Sequence, residues 1–161
     1  MTGREWIVGV SETLQDLIEL NEKDKERYET LEADLITAGG IQYTADRVQT
    51  SMDDKLLIKY DTFITLGEII DGRERQIDNF RRRSISKIED MIKEPTLCRC
   101  LVLRHIDFKT NKEIAKEIGV TDRHVIRKLN KSYDLLNSIY ILEKYRKNCE
   151  KFDRSPQKVL V

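Results

Sequence analysis

The chain has 161 residues, of which 39% are hydrophobic and 36% charged, with only seven Gly and two Pro. Its length suits one domain or two small ones, and its few turn-forming residues argue against a β-sandwich, so an all-α fold is expected. No uncharged apolar run of about 18 residues is present, which excludes a membrane-spanning helix. The N-terminus also lacks the apolar stretch of a secretion signal, so a cytoplasmic protein is expected.

The net charge of zero conceals two halves of opposite sign. Residues 1–72 contain seven Lys and Arg against sixteen Asp and Glu, whereas residues 73–161 contain twenty-two against thirteen. A basic segment attracts a polyanion, so any nucleic-acid binding is expected in the C-terminal half. The alternative is that these charges are solvated helix faces without a partner.

A long amphipathic helix is predicted at the start of the chain. Apolar side chains recur at alternating spacings of three and four over residues 10–35, with Ser11 as the candidate N-cap and residues 39–40, both glycine, at the C-terminal end. Polar Asn21 and Asp24 interrupt the apolar stripe. They could fix the register of a partner helix, or the helix could bend away from its neighbour there.

A loop and a second long helix should follow. Residues 39–54 show no sustained period and are predicted to be a loop, either an ordered functional segment or a slack linker. The second helix should begin near Ser51 or Asp53 and extend close to Lys93, since Pro95 stops it. Two helices of this length suggest a hairpin or coiled-coil arm, packed antiparallel or paired with a second copy. The predicted apolar stripe of the second helix comprises Leu56, Tyr60, Phe63, Gly67, Ile70, Ile77, Ile88 and Met91.

The segment after Pro95 has the spacing of a helix-turn-helix. A short helix is predicted over residues 96–106, and the motif itself occupies residues 111–129. Ala115 is small where the second helix crosses, Gly119 permits a left-handed turn, and Val120 fills the corner between the helices. The remaining core positions of the motif are Ile114, Ile118 and Val125.

The second helix of the motif, about residues 121–136, is the predicted recognition helix, with the Thr121 hydroxyl as its cap. Arg123 and Arg127 lie one turn apart, and each could bind a guanine or a phosphate. Ile126 could contact a thymine methyl group, and Asp122 could orient an arginine or accept a hydrogen bond from cytosine. Three lysines are expected to neutralise phosphates: Lys112, Lys128 and Lys131. The complete set of predicted DNA-binding residues is Thr121, Asp122, Arg123, His124, Ile126, Arg127, Lys128, Lys131 and Lys112.

The sequence Glu113-Ile114-Ala115, together with Arg123-His124-Val125-Ile126-Arg127, resembles region 4 of sigma-70 type factors. The chain is more similar to the small ArpU-like and RinA-like late transcription regulators of phages and prophages, a likeness that includes Asp46-Arg47-Val48-Gln49-Thr50-Ser51 and covers roughly residues 40–136. The resemblance implies a transcriptional regulator that contacts DNA through Thr121, Arg123, His124 and Arg127. The chain departs from these proteins at Lys128, where they usually have an aliphatic core residue.

No catalytic or metal-binding pattern is present. Cys98-Arg99-Cys100 is one residue tighter than a zinc knuckle and has no second pair nearby, so neither a metal nor any other cofactor is expected. No phosphate-binding glycine loop or nucleophile constellation occurs, so the chain is not expected to be an enzyme.

The expected partner is double-stranded DNA, bound by a homodimer formed through the long helices, and RNA polymerase is a further possible partner. The alternative functions are an adaptor that binds polymerase or a sigma factor, and a small terminase-like subunit of a DNA-packaging machine. The predicted organisation is a hairpin over residues 1–94, a helix-turn-helix domain over 95–146 and a flexible tail over 147–161.

Overall fold

A computed structural model describes residues 2–38 and 54–153, and these two ranges contain five α-helices and no strand. The helices are α1 (Gly3–Ala38), α2 (Asp54–Met91), α3 (Pro95–His105), α4 (Asn111–Ile118) and α5 (Asp122–Asp153). The predicted all-α fold is therefore confirmed. Within the described ranges, no helix is both long enough and apolar enough to cross a bilayer.

Helix α1 begins eight residues before the predicted cap at Ser11, and that prediction was wrong. The Thr2 hydroxyl accepts a hydrogen bond of 3.1 Å from the Glu5 backbone N–H, and the Glu5 carboxylate accepts one of 2.7 Å from the Thr2 N–H. This reciprocal pair is a capping box, which satisfies two N–H groups that a helix start otherwise leaves unpaired. Ser11 lies inside the helix as a result.

A further boundary differs from the sequence prediction. Helix α2 ends at Met91, close to Lys93 as expected, but α5 continues to Asp153, well beyond the predicted end of the recognition helix at residue 136. The extension has a simple cause, because residues 122–153 contain neither glycine nor proline to stop the helix. The predicted loop over residues 39–54 lies outside the described residues except for Asp54, which begins α2. Of the predicted tail, residues 147–153 are helical and residues 154–161 lie outside the described part.

The helices divide into two compact units. The arm consists of residues 14–80, and the head consists of residues 1–13 together with 81–161. The predicted domain boundary after residue 94 does not coincide with this division. The first turns of α1 and the last turns of α2 belong to the head, together with the three C-terminal helices.

Within the arm, α1 and α2 run antiparallel. The side chains of Tyr28 and Phe63 stack with ring centroids 4.2 Å apart. Later positions of α1 pair with earlier positions of α2, as in the Lys59 to Asp34 ion pair of 3.0 Å, whereas Asp24 pairs with Arg73 further along α2. The predicted hairpin is therefore confirmed for this unit.

The predicted apolar stripe of α2 is buried at only some of its positions in the arm. Ile70 and Ile77 are buried as predicted. Tyr60 is instead 42% exposed, and Leu66 takes a buried place that the alternating spacing did not predict. Leu66 lies one turn before Ile70 on the same side of the helix, so the buried side of α2 continues through Leu66.

The head is built around a core to which all five helices contribute. Its fully buried side chains include Ile7, Ile88, Leu97, Leu101, Ile114, Val125 and Leu136. The start of α1 packs against α5, since the Arg4 backbone N–H donates a 3.0 Å hydrogen bond to the Asn137 side chain and the Trp6 ring lies 6.0 Å from that of Tyr140. The middle of α5, near Asn137 and Tyr140, is thus covered by the first residues of the chain.

Candidate nucleic-acid interface

Helix α4 is defined at both ends by local side-chain and backbone chemistry. Thr110 and Glu113 form a capping box, in which the Thr110 hydroxyl accepts from the Glu113 N–H and the Glu113 carboxylate accepts from the Thr110 N–H. This cap was not recognised in the sequence, although a threonine followed three residues later by a glutamate is its signature. The hydrogen bonds that the Thr110 backbone N–H and hydroxyl donate to the Glu113 carboxylate lower the pKa of that carboxyl group.

The turn after α4 has the conformation that the sequence predicts. Gly119 adopts φ 74° and ψ 36°, a left-handed conformation that costs glycine little. The backbone N–H groups of Gly119 and Val120 both donate to the Ala115 carbonyl, at 3.0 and 2.9 Å. Ala115 is buried, as expected for a small residue at a helix crossing.

The start of α5 differs from the prediction in one detail. The Thr121 carbonyl accepts the backbone N–H groups of His124 and Val125, at 2.9 and 3.1 Å. The Thr121 hydroxyl was predicted to accept a hydrogen bond from a backbone N–H of the helix. It instead shares a 2.7 Å hydrogen bond with the His124 ring Nδ1. This contact couples the orientations of two exposed side chains that were both expected to contact DNA.

A regular stripe of buried side chains holds α5 against the head. Val125, Leu129, Ser132 and Leu136 follow one another at spacings of four, three and four residues, and each is at most 6% exposed. Leu129 therefore occupies the buried position on α5. Lys128, the position at which the chain departs from the sigma-like pattern, lies beside the stripe, and its ammonium group donates to the Thr96 hydroxyl at 3.2 Å.

The opposite face of α5 presents the two predicted arginines to solvent. Arg123 and Arg127 are exposed, and within the described residues neither guanidinium group makes an ion pair or a hydrogen bond. Asp122 is exposed on the first turn, and Ile126 is 46% exposed between the arginines. A guanidinium group without an internal partner can turn both of its N–H pairs toward an external acceptor.

Lys131, one turn beyond Arg127 on α5, is engaged by an internal partner. Its ammonium group forms a 2.9 Å ion pair with the Glu94 carboxylate at the start of α3. The hydrogen bond from Lys131, assisted by one from Thr96, lowers the pKa of Glu94. Lys128 and Lys131 thus both contact the α3 start, and the charge of Lys131 is compensated within the protein.

Helix α4 contributes a basic face of its own. Lys112, one of the predicted DNA-binding residues, is exposed. Lys116, one turn later, is also exposed, but it was not among the predicted residues. The spacing of four residues was the available signal, since it places both lysines on one side of the helix. The nearby Glu117 carboxylate is already engaged by Lys109 and by Arg99, the latter at 3.1 Å, and these two contacts lower its pKa.

The chain matches no family model, no curated protein and no solved structure.

Among the described residues, no group of three His, Cys, Asp or Glu side chains is arranged to hold a metal ion. Cys98 and Cys100, whose spacing is too tight for a zinc knuckle, are buried side chains of α3. Burial raises the pKa of both thiols.

A buried polar contact joins α3 to α5 behind this surface. His105 and the Tyr133 hydroxyl share a 2.8 Å hydrogen bond, and the Arg4 guanidinium lies 5.1 Å above the Tyr133 ring. Burial lowers the pKa of His105 to about 4, with smaller contributions from the positive charges of Arg104 and Arg4. The imidazole is therefore neutral at pH 7, and it fixes α5 to the helix beneath it.

Proposed function

We propose that this chain is a sequence-specific regulator of transcription that binds double-stranded DNA, with the first turns of α5 in the major groove. The observation that carries the proposal is the pair Arg123 and Arg127, which are exposed on the side of α5 opposite its buried stripe and have no internal partner within the described residues. Arginine forks are the commonest specific ligands of guanine in the major groove. The sequence resemblance to phage and prophage regulators favours that class, which acts in the cytoplasm.

Helix α4 supports the same geometry. In a helix-turn-helix, the first helix crosses the DNA backbone while the second enters the groove. Lys112 and Lys116 are exposed on one side of α4 and make no ion pair within the described residues. They are suited to neutralise phosphates, which fixes the position of the protein without reading sequence.

The direct test measures duplex affinity by fluorescence anisotropy, using a sequence selected by the full chain from a random duplex library. Arg123→Ala and Arg127→Ala should each weaken binding by about 5- to 150-fold, because each removes one bidentate contact. Arg83→Ala is the matched control, since it removes the same charge from an exposed position on α2. Unchanged affinity in both α5 variants would contradict the proposal.

Salt dependence separates phosphate contacts from base contacts. The logarithm of affinity should fall linearly with the logarithm of salt concentration, since bound phosphates release counterions. Lys112→Ala and Lys116→Ala should each reduce the slope by about one, whatever the DNA sequence. An affinity that does not respond to salt would indicate a protein partner instead.

We further propose that the arm makes the chain a homodimer. The arm has sixteen Asp and Glu against eight Lys and Arg, yet α2 exposes Leu57, Ile58, Ile64 and Ile69 along it. Exposed aliphatic side chains on a charged helix commonly mark a protein interface. A second copy bound there would supply a second recognition helix for a two-fold operator.

The same exposed apolar side chains favour the adaptor alternative, in which the arm binds RNA polymerase or a sigma factor. Light scattering of the purified chain distinguishes the cases. A mass of two protomers supports the dimeric regulator, and a mass of eight or more protomers supports a terminase-like ring. A monomer supports the adaptor if, in a separate binding measurement, it retains polymerase but not DNA.

A further inference from the structure

The outward face of α5 extends beyond the two arginines. Arg123, Arg127, Asn130 and Asp134 follow one another at spacings of four, three and four, the same spacings as the buried stripe that begins at Val125. The outward set is displaced from the buried set by two residues, which is about 200° around a helix. Asn130 therefore lies on the surface that faces away from the protein, in line with both arginines.

The side chain of Asn130 is available to a ligand. It is exposed, and within the described residues it makes no hydrogen bond. Its neighbours Lys128 and Lys131, in contrast, are directed toward Thr96 and Glu94 at the start of α3. The primary amide of asparagine offers a donor and an acceptor side by side, which matches the N6 and N7 atoms of adenine in the major groove.

The spacing along the helix agrees with that of stacked bases. Asn130 lies about 4.5 Å beyond Arg127 and about 10.5 Å beyond Arg123 along the helix axis. Successive bases of one strand are about 3.4 Å apart, so the three side chains span about three base steps. Asp134 comes next on the same face, and its carboxylate would be repelled by phosphates, so Asn130 is the last suitable base contact.

We propose that Asn130 reads an adenine in the major groove, within about two base pairs of the base bound by Arg127. The proposal rests on the DNA-binding function proposed above and names a further specificity-determining residue of the same surface. Asn130 would then determine which duplexes are preferred, whereas the lysines of α4 would determine how strongly any duplex is held.

The test repeats the selection from the random duplex library with the wild-type full chain, Asn130→Ala and Asn130→Asp. Asn130→Ala should lose the preference for adenine at one position and keep the preferences that depend on Arg123 and Arg127. Asn130→Asp should shift that position toward cytosine, whose N4 amino group donates to a carboxylate. Asn79→Ala removes an exposed asparagine from the arm and should leave the selected sequence unchanged.

A second measurement tests the contact itself. Replacing the selected adenine by 7-deazaadenine removes the N7 acceptor, and this should weaken wild-type binding by about 5-fold or more while leaving Asn130→Ala unaffected. If Asn130→Ala selects the same sequence as wild type, the role of Asn130 is refuted although the DNA-binding function stands. If the wild-type chain selects no sequence at all, the proposed function fails and the role of Asn130 fails with it.

Discussion

Gly3 at the start of α1 lies directly against the backbone of Leu136 in the middle of α5. A β-carbon placed on Gly3 would come closer than 3.0 Å to the carbonyl carbon and oxygen of Leu136. Glycine is therefore required here for close approach of two helices, not for an unusual backbone angle. Leu136 is itself fully buried, so this contact belongs to the core of the head.

Gly3→Ala should destabilise the protein by about 1–3 kcal/mol, because the added methyl group must push α1 away from α5. The measurement is urea denaturation followed by circular dichroism. Gly9→Ala provides the control, since nothing lies within 4 Å of a β-carbon at Gly9. That variant should gain up to about 1 kcal/mol from the better helix propensity of alanine. Equal effects of the two substitutions would contradict the close packing of α1 on α5.

His105 should make the stability of the protein depend on pH. Its pKa is lowered to about 4 in the folded state by burial, whereas an unfolded chain has the ordinary value near 6.5. Between these values the unfolded chain binds a proton that the folded chain does not, so stability is complete above about pH 6.5 and falls toward pH 4. The loss amounts to as much as about 3 kcal/mol at the lower limit.

The pH effect is measured by urea denaturation at several pH values in wild type and in His105→Gln, since carboxylates also titrate in this range. The variant should lose less stability than wild type between pH 6.5 and 4. Parallel profiles for wild type and His105→Gln would show that His105 is not responsible.

Asn21 should reduce the stability of the arm. Its side chain is buried in α1, and its Oδ1 atom has no hydrogen-bond partner in the part of the chain that the structure describes. A buried polar atom without a partner costs about 1–3 kcal/mol, so Asn21→Leu should raise the free energy of unfolding by an amount of that order. Asn79→Leu, at an exposed position of the same unit, should change it by less than about 0.5 kcal/mol. A decrease in stability of Asn21→Leu would mean that the polar group is satisfied in solution, for example by a second copy.

Glu94 should limit the affinity for DNA by compensating the charge of Lys131. Glu94→Gln removes the carboxylate that lies 2.9 Å from the lysine ammonium group, so Lys131 could then reach a phosphate. Duplex affinity should rise, and the salt dependence should steepen by about one released counterion. Asp90→Asn removes the same charge from an exposed pair with Lys93 and should have a smaller effect. If both variants behave alike, overall charge rather than Lys131 explains the change.

The helix-turn-helix was predictable because its determinants lie close together in the sequence. The left-handed turn at Gly119 depends on Ala115 and Val120, and the buried positions of α5 recur with the period of the helix. The start of α1 was predicted wrongly although Thr2 and Glu5 carry a readable cap, because the apolar period was followed instead. Neither Asn130 nor Lys116 was predicted as a site residue, because the apolar period marks the buried sides of α5 and α4 and not their outward sides.

The amino-acid sequence by itself determined the helices, the turn between α4 and α5, and the exposure of Arg123 and Arg127, since these follow from propensity and periodicity over a few residues. Only the tertiary structure decided that residues 1–13 pack with α5 and that Lys131 pairs with Glu94. Such contacts join residues 37 to 133 positions apart. They depend on how whole helices pack, and no local period of the sequence specifies which helices meet.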